Sequence, residues 1–525
     1  MEERVPVSNK TRNEDNNRLY IPQRWITIVT ISFAILNGVS MRYCLAIALT
    51  KMVKQVDKKV KLADDDTCPD YYDNGPTFMK NPNETDQVVA LFDWSEYTQG
   101  IILSSFYWTY FVSNIVGAIV IQRFGGKFTL ACGMLTAAVF TLLTPASVEW
   151  AGPIGLIFAR TFIGLGEGLA FPAANMVIAQ WVPSNERSIA GAVMYAGSPF
   201  GIIFSMSISG IILQYSDSGW PVVFYFFGCA GMVSFLIICI FCYDKPSTSP
   251  FISHVEIEYL RDNLKNTHTN PPPTPWKNIL TSSPVWALII IMTGITWAFT
   301  IISTDMPKYM SGVLKFSSED TGYFTSIPYV SMWIFTLIAS FASDFLITTE
   351  KMSITHIRMI GITLSAMGPG IFIVLASYAG CNRLLFNIFL TICITLRGCT
   401  YCSIMVNVLD LTPNYAGTLM GLVNGVSTLA GILSPYLVGV FTPNQTLSEW
   451  RLIFWSVAIV CAVSTVIFLI FGSGDVQDWN DPSSSTKVND NDEKNVRPEA
   501  HHQRGQEGVF KKPEVAYTVE NPIGS

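Results

Sequence analysis

RTFIGLGEGLAFPA, residues Arg160 to Ala173, places an arginine and a glutamate inside a stretch that is otherwise apolar enough to cross a membrane. An intact charge at bilayer depth costs several kcal/mol unless a partner or a water-filled cavity receives it, so such residues mark functional sites. Arg160 and Glu167 are seven residues apart, close to two helical turns, so both project from one face. Gly164 lies between them on that face and reads as room beside the charges. A buried Arg next to a titratable Glu suits a protein that holds an anion and couples its passage to a cation.

The rest of the chain fits a membrane setting. Half of its 525 residues are hydrophobic, 14% are charged and the mean hydropathy is +0.36. A soluble domain carries about 25% charged residues. Charge collects in residues 1–24, 51–96 and 244–278 and after Asp475. Between these islands run twelve apolar segments, near 26–49, 98–121, 128–147, 154–181, 188–213, 222–243, 284–304, 322–346, 354–378, 384–406, 414–441 and 451–472. Each approaches the roughly 20 residues that a spanning helix needs.

Residues 1–25 are polar and read as a cytoplasmic segment, with no cleavable signal peptide. With that end inside, 20 Lys and Arg fall in cytoplasmic segments, 10 in outer loops and three (Arg42, Arg160, Arg397) within helices. This is the positive-inside bias, and it leaves both termini cytoplasmic. A long outer loop then covers 50–97. The sequons at Asn83 and Asn444 share the outer side and are expected to carry glycan, whereas Asn9 stays inside.

Nine of the eleven cysteines sit in or beside apolar spans, where Cys behaves as a small hydrophobe. Cys68 and Cys381 are the two placed outside, where a disulfide between them is chemically open. The five histidines lie in loops or the tail, with no metal-ligand spacing. The net charge of −6 points to no nucleic-acid partner.

Residues 244–283 divide the chain into six-span halves, 26–243 and 284–472. KPSTSP (Lys245 to Pro250) and PPPTP (Pro271 to Pro275) mark this connection as a cytoplasmic linker, with one short amphipathic helix near Val255 to Leu264. Ala190-Gly191 and Met194 open the fifth span as Ala416-Gly417 and Met420 open the eleventh, a trace of internal repetition. The expected architecture is an all-α membrane protein of twelve transmembrane helices in two pseudo-symmetric halves, the major facilitator fold, with its site at the midplane. Residues 473–525 lack apolar periodicity and read as a disordered cytoplasmic tail.

Phe92 to Lys127, Arg160 to Ala173 and NVLDLTPNYAGTLMGLVNG (Asn407 to Gly425) resemble the anion:cation symporter family of the major facilitator superfamily. That family holds sodium/phosphate cotransporters, sialin and the vesicular glutamate transporters, and the resemblance runs over residues 25–472, nearest the inorganic phosphate cotransporter branch. It implies substrate-binding roles for Arg42, in MRYCLAIAL (Met41 to Leu49), and for Arg160, with Glu167 as the coupling residue. Leu103 stands where the vesicular glutamate transporters carry a His, and Ile295 where they carry an Arg. Both departures argue against glutamate as cargo.

Arg397 and Asn424 are weighed as further polar lining. Asn114 and Asn407 read as interhelical contacts, and Arg123 and Asp344 as braces of loop ends. GLGEG (Gly164 to Gly168) lacks a preceding strand and reads as close helix packing, not a phosphate loop. The aromatic run Phe106, Tyr107, Trp108, Tyr110 and Phe111 wraps around the second span, and most of it reads as packing or lipid contact. The expected function is secondary active transport of a small anion, inorganic phosphate or organic, coupled to Na⁺ or H⁺. A sialin-like organic anion carrier of a vesicular or lysosomal membrane is the alternative, and a non-transporting receptor a third reading. An enzyme finds no support, since no nucleophile elbow or intramembrane His is present. No cofactor beyond the coupling ion is expected, and the chain is expected to work as a monomer.

Overall fold

The computed structural model of the chain describes residues 22–53, 68, 92–183, 186–216, 219–264, 274–349, 351–412 and 415–480. Ten helices there are long and apolar enough to cross a membrane. One of them, Gly126–Trp181, is a hairpin, and Glu96–Phe124 adds a further helix of 29 residues, which together give twelve. The helices are α1 (Gln23–Met52), α2 (Glu96–Phe124), α3 (126–151), α4 (153–181), α5 (Arg187–Tyr215) and α6 (Pro221–Phe241). The second half contains α7 (Ser283–Gly312), α8 (Ser318–Thr348), α9 (Ile354–Tyr378), α10 (Arg383–Leu396 and Cys399–Leu411), α11 (Ala416–Phe441) and α12 (Leu447–Phe471). Among the described residues the only strand-like feature is an isolated bridge between Val53 and Phe92.

Pseudo-symmetry shows in which helices pack. In the first half α1 lies against α5 and α6, α2 against α3 and α4, and α3 or α4 against α6. The second half repeats this with α7 on α11 and α12, α8 on α10, and α9 on α12. The α3–α4 turn is made by Gly152, whose φ of 55° is a left-handed value that glycine adopts without a Cβ penalty. The two arms then press Gly133 against Gly166 so closely that a Cβ on either would overlap the other's carbonyl oxygen. The GLGEG run is therefore a packing seam, as its lack of a preceding strand implied.

Two seams join the halves. On α2 a Cβ at Gly100 would meet the Pro435 carbonyl of α11 at 2.6 Å, and Tyr97 stacks edge-on to Tyr436 with centroids 5.6 Å apart. On α8 a Cβ at Gly322 would meet the Met206 carbonyl of α5 at 2.6 Å, beside a Ser207–Ser326 hydroxyl bond of 2.8 Å. Both seams lie toward the face that carries a Cys68–Cys381 disulfide, termed the disulfide face below. The pairing left open by the sequence is thus formed, and it ties the first loop to the α9–α10 turn.

The opposite, linker face is held by ion pairs. Glu256 of the linker helix His254–Leu264 accepts from the backbone N–H groups of Gln23 and Arg24, at 2.8 and 3.1 Å. Arg24 also pairs with Glu186 at 2.9 Å, which fixes the α4–α5 turn to the start of α1. In the second half Arg358 pairs with Asp410 of the NVLD motif at 2.7 Å. Arg123, expected to brace a loop end, is exposed; Asp244 takes that part by accepting from the Lys127 N–H at 2.7 Å. The Asp344 side chain, Asn9, Asn83 and the tail beyond Asn480 lie outside the described residues.

The seventh helix differs from its expected span of 284–304. It continues through a wide turn, Ile301–Asp305, to Gly312. Pro307 has no N–H to give the preceding turn, and the wide turn lies directly before it. Asp305 and Lys308 made the sequence look like a loop, yet both are buried inside the protein.

Candidate functional site

Arg42 of α1 sits inside an aromatic box. Its guanidinium carbon lies 4.6 Å from the ring centres of Phe106 and Tyr107 and 5.2 Å from those of Tyr43 and Tyr110. Rings at such distances offer their negative faces to the cation, which offsets part of the cost of removing it from water. Three members of the α2 aromatic run thus line a charged site, contrary to the packing-or-lipid expectation. Trp108 is exposed and Phe111 half-buried, and neither faces the arginines among the described contacts.

Arg160 of α4 approaches the same box, with its guanidinium carbon 5.0 Å from the Phe106 ring. Its Nη1 donates to the Arg42 backbone carbonyl at 3.0 Å. Glu167 projects from the same face of α4 toward α1, where a Cβ on Gly38 would lie 3.8 Å from its Cγ. Gly38 is one turn before Arg42, so all three charges share the α1–α4 interface. Among the described residues no ion pair joins Glu167 to either arginine, although the helical spacing brings them to one face. Nor does Gly164 leave space beside them: a Cβ there would overlap the Phe106 carbonyl oxygen, so this glycine lets α4 pack on α2.

Arg397 reaches the centre from the other half. α10 breaks at Arg397–Gly398, and a Cβ on Gly398 would come within 2.7 Å of Thr336 Oγ1 on α8. The break presents the Arg397 guanidinium to the Phe299 ring at 3.5 Å. Phe299 in turn stands edge-on to Tyr43 and Tyr329, at 6.5 and 6.4 Å. Ser303 bridges toward the Tyr43 hydroxyl at 3.4 Å. Tyr43 and Phe299 therefore lie between the Arg42 box and Arg397. Asn424 is half-buried on α11, and nothing described connects its side chain to this group. Leu103 and Ile295 are buried apolar residues that add no charge.

Unspent hydrogen-bonding capacity converges here. Nε of Arg42, Arg160 and Arg397, the hydroxyls of Tyr107 and Tyr329, and Oε1 of Glu167 are all buried without a partner. Buried polar atoms are normally satisfied. Five of these six are donors, which is the complement of an anion, and the sixth is an acceptor for a cation. Sequence reading found the charges but not Tyr43, Phe299 or the tyrosine hydroxyls, because an aromatic residue in a membrane span carries no signal of which way it faces. Among the described residues no cluster of metal-ligating side chains appears.

Comparison with known proteins agrees with this fold. Residues 31–435 match the Major Facilitator Superfamily model. The chain is 36% identical to the "Putative inorganic phosphate cotransporter" of Drosophila ananassae, over 85% of this chain and 92% of that one. It is 34% identical to sialin of Homo sapiens, over 84% of this chain and 87% of that one. A bacterial homologue of the human lysosomal transporter Spinster, in an inward-facing and occupied conformation, superposes with a TM-score of 0.63 at 12% identity, over 86% and 97% of the two chains. The chain is a membrane transporter, not an enzyme, and belongs to the major facilitator superfamily, in the group that contains the phosphate cotransporters, sialin and the vesicular glutamate transporters.

Proposed function

We propose that this transporter carries a small anion, inorganic phosphate or organic, by alternating access coupled to H⁺ or Na⁺. Arg42 and Arg160 hold the anion and Glu167 takes the cation. The observation that carries this reading is the set of buried, unpartnered guanidinium Nε atoms beside an unpartnered carboxylate oxygen. Guanidinium stays charged at every relevant pH and offers a fork of donors to phosphate or carboxylate. An anion on Arg160 cancels part of the positive field at Glu167, which then receives a cation more readily. That sequence makes the loading of the two ions cooperative.

Arg397 is the second half's contribution to the anion, brought in when the halves close around it; Asn424 is left as peripheral lining. The Cys68–Cys381 disulfide supports an outer disulfide face, since disulfides persist in oxidising compartments. Both termini are then cytoplasmic, in a plasma membrane or an endolysosomal or vesicular one. The alternative, a sialin-like organic anion carrier of a vesicular or lysosomal membrane, is favoured by the apolar walls of the box: the rings of Tyr43, Phe106, Tyr107 and Tyr110 suit a carboxylate with a carbon skeleton. Proteoliposome uptake of a panel of labelled anions, under imposed Na⁺, pH or voltage gradients, tests the assignment. Saturable, gradient-driven uptake of phosphate or one organic anion is expected. Absence of flux for every anion under every gradient contradicts it.

A further inference from the structure

A second group of buried charges lies away from the Arg42–Glu167 site and is not used by it. Lys308 Nζ of α7 contacts Glu96 Oε2 at the start of α2, at 2.5 Å, with the side chains 7% and 10% exposed. The pair spans the two halves at the disulfide-face end of the α2–α11 seam, where a Cβ on Gly439 would meet the Glu96 carbonyl at 2.5 Å. The contact is one of charge on charge, since its angles fall outside hydrogen-bond geometry. Glu96 Oε1 is separately occupied by Gln99 Nε2 at 3.1 Å.

Asp305 sits three residues before Lys308, hence a neighbour on the same helix face. It is fully buried; Oδ2 accepts from Thr304 Oγ1 at 2.7 Å, and Oδ1 has no partner. Through Lys308, one turn along the helix, it is linked to Glu96 of α2; α1, α8 and α11 pack against this stretch. The cluster therefore holds two carboxylates, Asp305 and Glu96, and one ammonium, Lys308. Its net charge is −1 unless one carboxylate carries a proton, and a buried uncompensated charge is far more costly than a neutral group.

We propose that Asp305 is a proton-binding carboxylate that governs closure of the disulfide face. With a proton on Asp305, the cluster is neutral and Lys308 stays with Glu96 across the seam. With Asp305 ionised, Lys308 is drawn to it along its own helix and Glu96 is released to water as the halves part. A proton needs one lone pair, which Oδ1 supplies.

Spin labels on Tyr97→Cys and Tyr436→Cys read this seam, in full-length protein in nanodiscs with the exposed Cys229 and Cys239 changed to Ser. Labels in near contact broaden each other's spectra when the seam is shut. From mildly alkaline to mildly acidic pH, the broadened fraction is expected to rise about threefold or more. Asp305→Asn is expected to stay broadened throughout. Asp305→Glu, which restores the acid, regains the pH dependence, and Glu96→Gln loses both closure and pH dependence. In a Glu167→Gln background the wild-type profile persists, so failure of the anion-site reading leaves this one standing. A wild-type profile in Asp305→Asn, a seam that answers to Na⁺ at fixed pH, or a profile abolished by Glu167→Gln would each overturn the proposal.

Discussion

Arg160 donates through Nη1 to the backbone carbonyl of Arg42, at 3.0 Å, so two guanidinium groups share one aromatic box, and among the described residues no carboxylate is bonded to either. Like charges this close are tolerated because Phe106 faces both and a carbonyl dipole is aimed at one. Under the proposed function an anion would satisfy both Nε atoms at once.

Arg160→Lys keeps the charge but loses the planar fork. Losing one charge-assisted hydrogen bond costs about 1.5–3 kcal/mol, roughly a tenfold to hundredfold weaker anion affinity. Saturation uptake in proteoliposomes, at equal reconstituted protein, checks this. Unchanged affinity in both Arg160→Lys and Arg160→Ala would remove Arg160 from the site.

Gly164→Ala places a methyl group where the Phe106 carbonyl oxygen already lies. Overpacking of this kind costs about 1–3 kcal/mol, and the melting temperature in detergent should fall accordingly. Gly417→Ala serves as a control, because a Cβ there meets nothing within 4 Å. Equal melting of the two variants would show that α2 and α4 are not in close contact.

Topology is tested by sugar and thiol chemistry together. Asn83 should carry glycan and Asn9 should not; Asn444 is exposed, but its side-chain amide is bonded to Glu449 at 2.8 Å and competes with glycan transfer there. In intact cells an impermeant maleimide should label Cys381 only after Cys68→Ser. A glycan shift that vanishes with Asn9→Gln would reverse the orientation.

The helix order and the four membrane charges, Arg42, Arg160, Glu167 and Arg397, were legible because apolar length and an intramembrane ion leave direct marks in sequence. Asp305 and Lys308 were read as the end of a span, since charge normally ends one; only burial by neighbouring helices reveals that α7 continues. Glu96 was placed just outside the second span for the same reason. The aromatic box stayed hidden because Phe106, Tyr107 and Tyr110 belong to a helix that is apolar all round. Gly164 was misread because a missing side chain looks the same whether it leaves space or lets a helix fill it.

The most direct measurement compares two fluxes in Glu167→Gln proteoliposomes, using an anion that the wild-type protein takes up. The account predicts that exchange of labelled for unlabelled anion survives, because Arg42 and Arg160 are intact, while accumulation driven by an ion gradient is lost. Accumulation against a gradient by Glu167→Gln, at the wild-type rate, would contradict it and place the coupling elsewhere.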